Sequence, residues 1–153
     1  MKNIKELLSE HEFFKGLSDE QIEIMAGCGS NVHFKKGETV FQQGREANYF
    51  FVVRQGSVAL DIDGAERGII RIQTVEDGDI LGWSWLIPPH IWNFTAIAVK
   101  DTSTTALDGK CLREKCENDH ELGYALLKRF STVLAKRLEW TRIQLLDVYG
   151  AHT

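Results

Sequence analysis

One segment of the chain, GDILGWSWLIPPHIWNFTAIAV at residues 78–99, concentrates the side chains that could bind a flat organic ligand. It contains both prolines and three of the four tryptophans, Trp83, Trp85 and Trp92. An aromatic ring stacked on a base contributes about 1–3 kcal/mol, and the hydroxyl of Ser84 adds a hydrogen-bonding group. These residue types favour either a site for an aromatic ligand or a tightly packed aromatic core.

The histidines and cysteines do not show a pattern typical of a metal centre. Metal-dependent jelly-roll enzymes need two or three histidines and a carboxylate that converge inside the roll, but of the five histidines only His33 and His90 lie in the predicted β-region. Cys111 and Cys116 are poorly spaced for a thiolate pair, and the odd total of three cysteines argues against a disulfide framework. We therefore expect no catalytic residue, metal or cofactor, and a metal-dependent jelly-roll enzyme is the least favoured alternative.

Length, composition and charge indicate one globular domain over residues 1–153. The chain is 43% hydrophobic and 26% charged, as is usual for a globular protein, and its length suffices for a substantial core. A formal net charge of −4 argues against broad binding to a phosphate backbone. The first residues resemble neither a signal peptide nor a membrane span, so we expect a cytoplasmic protein without membrane contact.

Two short helices are predicted within residues 1–30. In the first, Ile4, Leu7 and Leu8 follow helical spacing. In the second, Ser18 and Gln21 form a capping-box pattern, and Gly27 is a plausible end.

Residues 31–108 change to a period of two and predict a β-roll of short strands separated by glycines. The stretch RQGS predicts a tight hairpin with Gly56 at positive φ. The stretch SVALDID places Asp61 and Asp63 on the polar face of a half-buried strand, which suggests solvated rather than catalytic carboxylates. The predicted fold class is mainly β with flanking helices: an antiparallel jelly roll or β-roll (double-stranded β-helix) with N-terminal helices and a long C-terminal helix.

Residues 109–148 return to helix. Asp108 is expected to cap a short helix, and Asn118 or Asp119 a long one. The long helix carries an apolar stripe with 4-3 spacing that is typical of a coiled-coil seam, so a homodimer through it is favoured over purely internal packing. The predicted interface consists of Leu127, Leu134, Leu138, Thr141, Leu145 and Val148. The helix also carries a run of cations, which we interpret as a solvated face: Lys128, Arg129, Lys136, Arg137 and Arg142.

The order of these elements and three strings resemble the cyclic nucleotide-binding domain family, which includes catabolite-type regulators and regulatory subunits of cyclic AMP-dependent kinase. The strings are FFKGLSDEQIEIM, FKKGETVFQQGREANYFFVVRQGSVAL and VEDGDILGWSWL, and the resemblance covers about residues 13–145. It implies a β-roll in a stand-alone regulatory module, with a ligand held by a phosphate-binding segment inside the roll.

That segment departs from the family pattern at the residues that bind the ligand. In the family, a Gly-Glu pair opens a short helix and an Arg-(Ser/Thr)-Ala string follows, with the glutamate on the ribose and the arginine on the phosphate. Here Gly82, Thr95 and Ala96 match, whereas Trp83 replaces the glutamate and Phe94 the arginine. Indole offers only a donor, and loss of the guanidinium removes a charge-assisted pair. The resemblance therefore predicts that cyclic AMP is not bound in the standard way.

Three interpretations of the segment remain open. The aromatic rings could fill the roll and leave a ligand-free protein–protein adaptor, they could form a site for a different small molecule, or they could hold a cyclic nucleotide (cAMP or cGMP) in an unconventional way. A helix from residue 82, ended by the prolines, would offer a weak anion site, and Trp92 and His90 would be exposed in the loop that follows. The predicted ligand contacts are Gly82, Trp83, Ser84, Trp85, Leu86, Phe94, Thr95 and Ala96. No recognition helix follows the long helix, so an unknown partner protein is expected rather than specific DNA binding.

Overall fold

The computed structural model describes residues 3–150, with side chains described as far as residue 147. The chain begins with two helices, continues through eight strands of the described region, and ends with two more helices. The helices are α1 (Ile4–Glu10), α2 (Asp19–Ala26), α3 (Gly109–Asn118) and α4 (His120–Gly150), with 3-10 turns at Glu12–Phe14 and Ala65–Arg67. The strands are β1 (Gly29–Phe34), β2 (Thr39–Phe41), β3 (Tyr49–Gln55), β4 (Ser57–Asp63), β5 (Ile69–Glu76), β6 (Ile80–Leu81), β7 (Thr95–Ala98) and β8 (Thr102–Asp108). No helix in this region has both the length and the apolar character needed to cross a membrane.

The helix ends follow the capping signals of the sequence. The Ser18 hydroxyl accepts a hydrogen bond from the Gln21 backbone N–H at 3.1 Å, and the Gln21 side chain accepts one from the Ser18 N–H at 2.9 Å. Asp108 caps α3 by accepting from the Cys111 N–H at 3.1 Å. Asp119, not Asn118, caps α4 by accepting from the Leu122 N–H at 3.2 Å.

The strands form two antiparallel four-stranded sheets, which confirms the predicted β-roll. Their orders are β1-β8-β3-β6 and β2-β7-β4-β5. The predicted hairpin at RQGS is wrong, because β3 and β4 lie in different sheets and do not pair with each other. Gly56, at φ +136°, instead occupies the corner where the chain passes between sheets, and a Cβ there would lie 2.6 Å from the Thr102 Cα. Only glycine fits that corner without displacing β8.

The strand β4 is buried on both faces as far as Asp61, so the predicted half-buried strand is also wrong. The Asp61 carboxylate accepts two hydrogen bonds from the Arg71 guanidinium on β5, at 2.9 and 3.2 Å. Asp61 raises the pKa of Arg71 through this contact. The carboxylate is therefore a structural group paired across the sheet and not a solvated one.

The core has two parts that share the sheet containing β3. Phe51 and Val53 point into the roll, where they pack with Leu60 and the other buried residues between the sheets. Phe50 and Val52 point outward, into a cluster built by the helices. Because successive side chains of β3 point to opposite faces of the sheet, this one strand contributes to both the roll and the helical layer.

Two of the cysteines form a disulfide, which contradicts the expectation drawn from their odd number. Cys28, between α2 and β1, is bonded to Cys111 in the first turn of α3. Cys116 has a free thiol whose pKa is raised by burial. The bond therefore links the N-terminal helices covalently to the C-terminal ones.

Candidate functional site

The segment expected to hold a ligand runs from Gly82, after β6, to Phe94, before β7. Gly82 has φ +95°, and a Cβ there would lie 2.9 Å from two ring atoms of Trp92. The predicted helix over 82–87 is wrong, because residues 84–86 form only a turn in which the Leu86 N–H donates to the Trp83 carbonyl at 3.0 Å. The described segment therefore lacks the helix N-terminus that the predicted anion site required.

Aromatic rings pack in the interior of the roll beside this segment. Trp92 lies face to face with Phe41, with ring centroids 3.6 Å apart and planes 9° from parallel. Phe94 is also buried and packs in a T-shaped pair with Trp83, with ring centroids 5.4 Å apart. The expectation that Trp92 is exposed in a loop is wrong, because β2 supplies a flat apolar ring against which the indole packs.

Trp85 points away from the roll, into the helical cluster. Its ring is fully buried, stacks on Phe50 at 5.3 Å and meets the edge of Phe130 at 5.5 Å. The Arg113 guanidinium donates to the Trp85 carbonyl, and Leu86 packs against the same cluster. Two of the predicted ligand contacts, Trp85 and Leu86, therefore fasten the segment to the helices instead of facing the roll.

The remaining predicted contacts are divided between the two sides of the sheet. Ala96 is buried in the roll, whereas the Thr95 hydroxyl accepts a hydrogen bond from the Gln43 N–H at 3.0 Å. Ser84 is buried in the turn. The structure thus brings Gly82, Trp83, Phe94 and Ala96 together at the roll.

A cation that we interpreted from the sequence as solvated lies against this group. The Arg137 guanidinium of α4 sits 4.9 Å from the centroid of the Trp83 ring. It also donates to the Ile80 carbonyl at 3.0 Å and to Gln73 Oε1 at 3.3 Å. Burial lowers the pKa of Arg137 to about 10, opposed by the charge of Asp79, so the group stays protonated at neutral pH.

The interpretation of Arg129 as solvated is also wrong. Its guanidinium donates to the backbone carbonyls of Phe13 and Lys15, at 2.9 and 2.6 Å. Both arginines lie on the buried side of α4, since Arg129 follows buried Leu126 by three residues and Arg137 follows buried Phe130 by seven. That helical spacing is the signal by which the sequence could have identified them.

The predicted dimer stripe lies on a different face of α4, about 90° around the axis from the packed one. Leu138 and Leu145 are 63% and 51% exposed, Leu127 and Thr141 are exposed as well, and Leu134 is half-buried. The side chain of Val148 lies outside the described residues. The helix contributes Leu122, Leu126 and Phe130 to its own core, so it has a packed face and a separate unpaired apolar stripe.

Titratable groups do not assemble into a metal site within the described residues, where no three His, Cys, Asp or Glu side chains are close enough to share an ion. His11 lies in a partly buried environment near the 3-10 turn at Glu12–Phe14. Burial lowers its pKa, the nearby Gly78 backbone and the charge of Asp79 oppose this, and its Nδ1 accepts from the Phe13 N–H at 3.1 Å. It therefore acts as a neutral capping group near α4.

Comparison with known proteins agrees with this fold. The sequence profile of the cyclic nucleotide-binding domain matches residues 31–119. A cGMP-dependent protein kinase of Caenorhabditis briggsae is 31% identical over 72 residues, 47% of this chain and 10% of the kinase. A CRP-like cAMP-activated global transcriptional regulator of Mycobacterium tuberculosis is 22% identical over 143 residues, 94% of this chain and 62% of the regulator. The chain thus spans about a tenth of the first relative and less than two thirds of the second.

A solved structure shows the same architecture over nearly its whole length. A Geobacter metallireducens protein superposes with a TM-score of 0.80 at 28% identity, covering 90% of this chain and 99% of that one. The profile match runs from β1 to the end of α3 and includes the segment from Gly82 to Phe94. By fold and by sequence, this chain belongs to the cyclic nucleotide-binding domain family, whose domains are typically regulatory and not catalytic.

Proposed function

We propose that this chain is a non-catalytic regulatory module whose roll is filled by its own aromatic side chains and does not hold cyclic AMP through the 82–96 segment. The observation that carries the proposal is the contact of Trp83 with buried Phe94, beside the stack of Trp92 on Phe41. These rings occupy the interior where the family resemblance expects a nucleotide.

The polar groups near the segment are poorly suited to a cyclic phosphate. Neither Trp83 nor Phe94 can accept a hydrogen bond from a ribose hydroxyl or pair with an anion. Arg137 is a cation in contact with the segment, but its guanidinium already donates to the Ile80 carbonyl and to Gln73. An incoming phosphate would have to break these bonds and displace a buried ring.

The proposal is tested by thermal unfolding of the purified chain with 1 mM cyclic AMP or cyclic GMP. We expect no rise in Tm, because a ligand stabilises only a folded state that binds it, by about 2.7 kcal/mol at 100 times Kd. A concentration-dependent rise with either nucleotide would contradict the proposal. If that rise disappears in R137Q, it would instead support the second candidate, a nucleotide held unconventionally with Arg137 on its phosphate.

We further propose that the module acts as a homodimer joined along α4. The exposed stripe of Leu127, Leu138 and Leu145 supports this, since apolar side chains at 4-3 spacing gain burial when two such helices pair. Signalling would then proceed through a shift of α4 relative to the roll, a packing change that a partner protein can detect. The Arg137–Trp83 contact joins α4 to the 82–94 segment of the roll, which are the two parts that would move relative to each other.

The dimer predicts different effects for matched leucine and isoleucine substitutions on α4. The double variant L138E/L145E is expected to be monomeric, because two carboxylates in the seam would face their own copies. The control I143E/L146E changes two exposed apolar residues away from the 4-3 stripe and should leave the dimer intact. Light scattering at micromolar concentration gives the masses. A wild-type monomer, or equal masses for the two variants, would refute the seam.

A further inference from the structure

A long groove outside the roll is not explained by the proposed function. It has a volume of about 900 Å³ and lies between α4, the Glu12–Lys15 stretch, and the sheet edge at the end of β5. On α4 it extends from Lys128 to Gln144, and the Gln144 side chain closes the far end by donating to the Ile72 carbonyl at 2.9 Å.

The groove is positively charged although the chain is acidic. Five lysines and arginines line it, against the carboxylates of Glu12 and Asp79. Glu12 pairs with Lys15 at 3.2 Å, and Asp79 accepts from the Glu76 N–H at 2.9 Å. In the described region no carboxylate forms an ion pair with the other four cations, which are Lys128, Arg129, Lys136 and Arg137. Backbone carbonyls accept from Arg129 and Arg137, and the charge of Asp79 also acts on Arg137, so an anionic partner would supply counter-charge mainly to the exposed Lys128 and Lys136.

The groove remains open in the proposed dimer. Successive residues of an α-helix are offset by about 100°, so Lys136 and Trp140 lie on the side of α4 opposite Leu138 and Leu145, whereas Lys128 lies about 90° around the axis from them. Trp140 is 57% exposed at the rim of the groove. A second copy on the seam would therefore leave Lys136 and Trp140 uncovered and would border the groove only near Lys128.

The length of the groove matches an extended chain. Its length along α4 is about 24 Å, at 1.5 Å per residue. An extended segment of about seven residues spans that distance, at about 3.3 Å per residue.

The cations are spaced regularly along that length. The pair Lys128 and Arg129 lies about 12 Å from the pair Lys136 and Arg137, and Trp140 lies about 6 Å further. An extended peptide advances about 3.3 Å per residue, so these distances correspond to about four and two of its residues. We propose that the groove binds an extended acidic segment of a partner protein, with two carboxylates four residues apart and a large apolar side chain two residues beyond the second. The carboxylates face Lys128 and Lys136, the exposed member of each cation pair, and the apolar side chain packs on Trp140.

The test uses fluorescence anisotropy with the full chain and a labelled synthetic peptide. The peptide carries two aspartates four residues apart and a phenylalanine two residues after the second, in an alanine and serine background. We expect saturable binding that weakens about ten-fold in K128E/K136E and about five-fold in W140A. The matched control K36E/K100E has the same charge change on exposed lysines away from the groove, and should bind within about two-fold of wild type.

Three results would overturn the proposal. They are the absence of saturable binding, equal affinity for K128E/K136E and wild type, and equal affinity for a scrambled peptide whose aspartates are adjacent. Tighter binding of a single-stranded oligonucleotide at the same surface would also overturn it, in favour of a nucleic-acid site. A shift in the fluorescence of exposed Trp140 on peptide binding, absent in W140A, would show that the peptide occupies the groove.

Discussion

Replacing Trp85 by alanine is expected to lower the free energy of unfolding by about 3–5 kcal/mol, the usual cost of truncating a fully buried aromatic side chain. The ring contacts Phe50 from the sheet and Phe130 from α4, so its loss opens a cavity where three elements meet. The Trp85 indole N–H is buried without a hydrogen-bond partner, and deleting it therefore breaks no polar contact that would add to the cost. Denaturant unfolding followed by circular dichroism measures the change.

The matched control is W140A, which removes the same side chain from an exposed position. Because Trp140 is largely in solvent, its truncation is expected to change stability by about 0.5 kcal/mol or less. If W85A cost no more than W140A, the segment would not be fastened to α4 through Trp85. The contrast therefore measures how firmly the 82–94 segment is tied to the helix that we propose as the route of signalling.

The sequence predicted the elements of the fold well because their signals are local. The capping box at Ser18 and the cap at Asp108 need only nearby backbone groups, and both are formed. Strand pairing is not local. The glycine at position 56 was correctly placed at positive φ, but periodicity does not say whether the next strand returns beside the last one or crosses to another sheet.

The candidate site was less predictable, because the direction of each side chain depends on its partners. Trp83 and Trp85 are two residues apart, yet one contacts the roll and the other lies in the helical cluster. Trp92 is buried because Phe41, fifty-one positions earlier, offers a parallel ring. Asp61 and Arg137 were wrongly interpreted as solvated for the same reason, since their partners Arg71, Ile80 and Gln73 come from other elements.

The resemblance and the structure together reduce the question of function to a small group of side chains. In the resemblance Gly82 and Ala96 match the family pattern while Trp83 and Phe94 stand at its two charged positions, and in the structure the Trp83 and Phe94 rings pack on each other at the roll. If these two residues alone prevent nucleotide binding, restoring the charges should restore affinity. If the stack of Trp92 on Phe41 also blocks the roll, restoration should fail.

The double variant W83E/F94R is expected to bind cyclic AMP where the wild type does not. Removing both large rings opens space beside Gly82, and the new glutamate and arginine supply a ribose acceptor and a phosphate partner. Without ligand the variant should be less stable by several kcal/mol, because Phe94 is 7% exposed and a guanidinium there lacks an anion. Calorimetry measures the affinity for cyclic AMP. Thermal unfolding measures the loss of stability without ligand and its recovery when cyclic AMP is added.

The neutral variant W83Q/F94M separates the effect of the new charges from the effect of the space that is opened when the two rings are removed. It opens a similar volume without the two charges, so we expect no cyclic AMP binding from it. For the charged variant, cyclic AMP at 100 times Kd adds about 2.7 kcal/mol, which raises Tm by about 5–11 °C in a chain of this size. Equal responses of the two variants would mean that space alone controls entry. A folded W83E/F94R that ignores cyclic AMP would mean that Trp92, held against Phe41, closes the roll independently of the two charged positions.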